Sequence, residues 1–128
     1  MIALLLAAPS ALAAAGGPAK FDSKVTLTDF VENRAAGSAA TGVFLGKVSS
    51  TNANCATDRK VKLYRKRPEK DKLLGHELSD PTTGDWMVGG KDKAGTYYAR
   101  VVKVEIPAGI CRPDRSKRFV IYEISRAR

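Results

Sequence analysis

A single histidine, His76, serves all 128 residues, which excludes the metal centres built on two or more imidazoles. As a general base His76 would need a nucleophile and an orienting acid, and no serine stands in a nucleophile elbow or a comparable setting. It is read as an ordinary strand residue. Cysteine is equally scarce: Cys55 and Cys111 are the whole supply, and without a Cys-x-x-Cys spacing they make neither a redox pair nor a zinc site. The full acidic loop pattern of a calcium site is missing. Asp80, Thr82 and Asp85 gather oxygens around one tight turn, but turn formation accounts for the same residues. The apolar stretch near the start falls short of the roughly 20 residues of a membrane-crossing helix, and no segment reads as a convincing amphipathic helix. Nothing here calls for a metal or a cofactor, and the chain is read as non-enzymatic.

What is present begins with an apolar leader, MIALLLAAPSALAAA. Ala11-Leu12-Ala13 and Ala13-Ala14-Ala15 both fit a signal-peptidase site. Residues 1–15 are therefore expected to be a signal peptide, 16–23 a linker around Gly16-Gly17-Pro18, and 24–128 one β-domain. Export places the protein at the cell envelope or outside the cell, where the compartment is oxidising and an even pair of thiols joins. Closing the loop between Cys55 and Cys111 restricts the unfolded chain by about 4 kcal/mol on the entropy model. Lys and Arg number 22 against 13 Asp and Glu, a formal charge of +9, and every charged side chain follows Ala19. Such a surface attracts polyanions, whether anionic cell-wall polymers, lipid headgroups or released nucleic acid.

The body of the chain is a series of short alternating runs. Residues 24–30 set Val25, Leu27 and Asp29 on one side of a strand, and 42–49 set Phe44, Gly46 and Val48 on one face. Residues 59–64 are the clearest, with Val61 and Leu63 inward against Lys60, Lys62 and Tyr64. Pro68 breaks the ladder in a charged turn before a run over 73–79. Asp80-Pro81-Thr82-Thr83-Gly84 is a second turn, after which Trp86 and Val88 share a face. A Gly-rich loop leads to the longest run, 96–106, where Tyr97, Ala99 and Val101 oppose Tyr98, Arg100 and Val102. Residues 107–117 read as a polar loop holding Cys111, and 118–124 as the last strand. About seven strands without a helix predict an all-β, antiparallel two-sheet sandwich with one disulfide.

Phe44-x-Gly46-x-Val48-x-Ser50, Cys55, Arg59-x-Val61-x-Leu63, Asp80, Gly84-x-Trp86, Gly95-x-Tyr97-x-Ala99-x-Val101, Cys111 and Ser116 follow one another in an order that resembles small exported bacterial domains of the carboxypeptidase-regulatory-like, or prealbumin-like (transthyretin-like), β-sandwich type. The resemblance spans residues 24–124. It implies an adhesive, accessory or structural module without an active site, with Trp86 and Tyr97 in the core. The cysteine pair departs from that broad pattern.

Two candidate ligand classes remain. Lys60, Lys62, Tyr64, Arg65, Lys66 and Arg67 form a basic stretch suited to an anionic polymer. Tyr64, with Tyr98 or Tyr122, supplies rings on which a carbohydrate could stack. The partner is otherwise an unidentified protein or cell-surface polymer, and the chain is expected to be monomeric.

Overall fold

The computed structural model describes residues 17–33 and 41–122, so the expected signal peptide lies outside the described residues. Within them the protein is all-β, with strands β1 (Lys20–Phe21), β2 (Ser23–Asn33), β3 (Thr41–Ser50), β4 (Lys60–Arg65), β5 (Lys72–Leu78), β6 (Asp85–Lys91), β7 (Gly95–Val101), β8 (Val104–Ile106), β9 (Gly109–Cys111), β10 (Asp114–Arg115) and β11 (Phe119–Ile121), and one 3-10 turn at Ala53–Cys55. One sheet runs β2-β3-β6. A second runs β5-β4-β7, and the far edge of β7 is shared by β10 and β11. A small third sheet holds β9 between an antiparallel β8 and a parallel β1.

Eleven segments in three sheets differ from the expected seven in two, for local reasons. The run over 96–106 is two strands, because β7 ends at Val101 and β8 turns back on β9 through Pro107 and Ala108. Proline presets φ for such a turn and has no N–H to carry a strand onward. The expected loop over 107–117 thus contains β9 and β10, and Cys111 ends a strand. Lys20 and Phe21, expected in a linker, are paired with Ile110 and Cys111. Between β10 and β11, Ser116 maintains β7's ladder: its N–H donates to Ala99 O and its hydroxyl accepts from Ala99 N, each at 2.8 Å.

Val25, Leu27, Phe44, Val48, Val61, Leu63, Trp86, Val88, Tyr97, Ala99 and Val101 form one hydrophobic cluster drawn from both larger sheets. The alternation holds except where bulges shift it. On β2 the register jumps between Leu27 and Asp29, so Thr28 is the extra residue and Phe30, not Asp29, packs against the core. On β5 the same happens at Leu74, between the partners of Leu63 and Tyr64. An extra residue flips the two-residue period, which hydropathy alone cannot foresee.

Gly46 is required by a close approach. Trp86 Nε1 reaches across β3 to donate to Thr26 O at 3.0 Å, and a Cβ on Gly46 would meet that carbonyl at 1.9 Å and the indole nitrogen at 2.6 Å. A missing side chain on one strand thus lets the indole of the next pair its polar atom while its rings remain buried.

Candidate functional site

Strand β4 places the basic stretch, and its alternation divides it. Lys60 is exposed while Lys62 and Tyr64 are half-buried, all on the face opposite Val61 and Leu63. Arg65 has the inward parity: its Nη2 donates to Ala94 O at 3.0 Å, and its guanidinium lies beside the Tyr97 phenol. Lys66, past the strand end, donates its backbone N–H to Thr96 O at 2.8 Å. Arg67 is exposed in the turn, its N–H donating to Asp71 Oδ1 at 3.1 Å. The six residues are therefore not one continuous stripe.

Pairing adds partners that the sequence reading did not include. Lys62 stands opposite His76 on β5 and Arg100 on β7, and Arg100 stands opposite Arg115 on β10. His76, Lys62, Arg100 and Arg115 form one row across four strands, about 4.8 Å from one to the next. Beside it Tyr64 stacks on Tyr98, with ring centroids 5.3 Å apart and planes 14° apart. Arg115 leans diagonally over the other flank of Tyr98, its Cζ 3.8 Å from the ring centroid. This cation–π contact relieves some of the repulsion from Arg100.

Covered in this way, Tyr98 is buried although it faces away from the core, whereas Tyr122 is 74% exposed. The Tyr98 hydroxyl donates to Asp71 Oδ2 at 2.5 Å. That bond, then the Arg67 N–H, holds the Asp71 carboxyl below its usual range, and burial, reinforced by Asp71, raises the Tyr98 phenol. The outer face therefore carries a fixed aromatic pair with cations beside it.

A second polar constellation surrounds the disulfide. Cys55 in the 3-10 turn and Cys111 at the end of β9 are joined, with Cα atoms 5.4 Å apart. Beside them Arg59 is buried, 3% exposed. Its Nη1 donates to Ser23 Oγ and Cys55 O, both at 2.8 Å, and its Nη2 to Val102 O at 2.7 Å and Arg112 O at 3.4 Å. Desolvation lowers its pKa below the guanidinium's usual value, but four acceptors offset the burial of the charge. The arginine gathers segments distant in sequence. Its own N–H donates to Ser79 Oγ, which donates in turn to Ala56 O at 2.8 Å.

The protein matches no family model, no curated protein and no solved structure. Its own geometry is the basis for function.

The turn at Asp80 is occupied by its own backbone. Asp80 Oδ1 accepts from Thr82 N at 2.7 Å and Thr83 N at 2.9 Å, bonds that lower its pKa. Among the described residues no group of three or more His, Cys, Asp or Glu could hold a metal ion. His76 is exposed on β5. Among them, too, no helix is long and apolar enough to cross a membrane.

Proposed function

We propose that the protein is an exported, non-enzymatic module of the prealbumin-like sandwich type, its two larger sheets forming the layers, that acts by interaction at the cell envelope or outside the cell. The Cys55–Cys111 bond supports an oxidising destination. The ligand class that best suits its outer face is an anionic polymer, including an acidic carbohydrate. The row Lys62, Arg100, Arg115 carries this reading. Like charges directly opposite one another destabilise a sheet, and a polyanion laid across the strands reverses the sign of that contribution. Tyr64, half-buried at its margin, offers a ring edge to a sugar.

Retention on a heparin-like matrix tests the assignment. Reversing Lys62 and Arg100 to Glu should shift elution to far lower salt than reversing Lys47 and Lys103, two exposed lysines outside the row. Equal shifts from both pairs would mean that net charge alone is responsible.

A further inference from the structure

Arg65 points to a second site, on the inward side of β4 and separate from the row. A cavity of about 310 Å³ opens there, lined by Arg65, Lys72, Lys91, Lys93, the Tyr97 ring, Leu73, Leu74, Gly89 and Gly90. Four of the nine are cationic and none is acidic, and the volume is at the small end of ligand-binding cavities. Arg65 and Lys72 stand directly opposite each other in the β4–β5 register, a like-charge pairing that disfavours the empty sheet.

Three features fix the backbone that carries the cations and shape the cavity. Tyr97 donates its hydroxyl to Lys93 O, and Lys93 N donates to Lys91 O at 2.9 Å, so the segment carrying both lysines is pinned. Asp92, between them, acts electrostatically on the Tyr97 phenol. Gly90 leaves room on its inner side for the Phe44 ring, which a Cβ would meet at 2.6 Å. Finally, Arg65 Nε is buried without a hydrogen-bond acceptor, held against Gly95, whose Cβ would lie 2.6 Å from it. The residue as a whole is half-buried, so this contact fixes the inner end of the guanidinium while the rest of it lines the cavity.

We propose that this cavity binds a compact oxyanion group, a carboxylate, sulfate or phosphate, with the carbon part of the ligand against Leu73 and Leu74. The guanidinium and the three ammonium groups supply charge-assisted hydrogen bonds, and the bound anion compensates the opposed Arg65–Lys72 pair. The oxyanion can be free in solution or carried at the end of a polymer. The site is independent of the outer-face reading, and either can fail while the other stands.

Amide shifts in the full chain provide the test, with inorganic phosphate, inorganic sulfate, acetate and a sulfated oligosaccharide as probes. At least one probe should produce saturable shifts at Gly89, Gly90, Ala94 and Gly95. Replacing Lys91 and Lys93 by Gln removes charged donors from exposed positions and should weaken that binding about tenfold; Lys62→Gln with Arg100→Gln should leave it unchanged. Arg65→Lys, which keeps the charge and loses the fork, should also weaken it. If the oligosaccharide saturates the four amides at lower concentration than free sulfate, the source is a polymer end; the reverse order indicates a free ion. Shifts that never saturate, or that persist undiminished in the Lys91, Lys93 variant while the fold is intact by Trp86 emission, would overturn the site.

Discussion

Arg59 and Arg65 bracket β4 and share the inward parity of Val61 and Leu63, yet their hydrogen bonding is opposite in character. Arg59 has four acceptors, three of them backbone carbonyls. Arg65 has Ala94 O, a buried Nε without an acceptor, and a lysine directly opposite. The same residue type at the two ends of one strand thus serves two roles. At one, the charge is consumed in joining segments and a disulfide closes beside it. At the other, positive charge accumulates around a cavity. A guanidinium satisfied by carbonyls is architectural, whereas one surrounded by other cations is poised for an anion.

The strongest way to break this contrast is to remove both guanidinium groups in turn. Arg59→Met should destabilise by about 3–5 kcal/mol, because it leaves the buried Cys55 carbonyl and the partly buried Val102 carbonyl without their donors. Arg65→Met should change stability by less than about 1 kcal/mol, since it removes an unsatisfied donor and a like-charge opposition along with one hydrogen bond. Urea denaturation followed by the emission of Trp86, the sole and buried tryptophan, measures both. Equal losses would erase the distinction between the two ends.

The disulfide sharpens it further. Cys55→Ser with Cys111→Ser should lower stability by about 2–4 kcal/mol, chiefly through the unfolded chain, with strand content retained by circular dichroism. The extra hydrogen exchange should concentrate in β1, β8 and β9 and leave the amides near Arg65 protected as before. Loss of protection at Gly89 and Gly90 in the double variant would show that the two ends are coupled.

The smallest effect concerns pH at the Tyr98–Asp71 pair. The folded pKa of Asp71 is depressed, first by Tyr98, so its contribution is present above the ordinary aspartate value and lost as pH falls through the depressed one. Tyr98 is raised by burial; its contribution is full below the ordinary phenol value and lost as pH rises through the raised one. Asp71→Asn should flatten the acid limb of the stability profile and shift the Tyr98 titration, followed by phenolate absorbance, toward the ordinary value. An unchanged titration would mean that the pair carries no coupling.

The strands of the core were legible because hydrophobic alternation is local: Phe44 with Val48, Val61 with Leu63 and Trp86 with Val88 needed only their neighbours. Both bulges escaped because an extra residue at Thr28 or Leu74 leaves no mark on composition. The small sheet escaped because its β1–β9 pair joins residues about ninety positions apart through two short segments. The site was half legible. Lys60, Lys62 and Tyr64 lie on one face as their parity predicts, but Arg100 and Arg115 join them only through the register of three strands. The parity of β4 already put Arg59 and Arg65 on the core side. Two arginines in phase with buried Val and Leu are the signal that could have identified both ends.

The two bulges have a consequence for how copies of this protein coexist. Each lies on an outer strand of its sheet, β2 in one and β5 in the other, and the free side of β2 is further occupied where Val25 N donates to Asp114 Oδ2 at 2.8 Å. A regular outer strand is a template on which another chain can continue the ladder, and a bulge spoils it by twisting the backbone and breaking the repeat of donors and acceptors. At β2 and β5 the irregular edge thereby works against a second copy continuing the ladder.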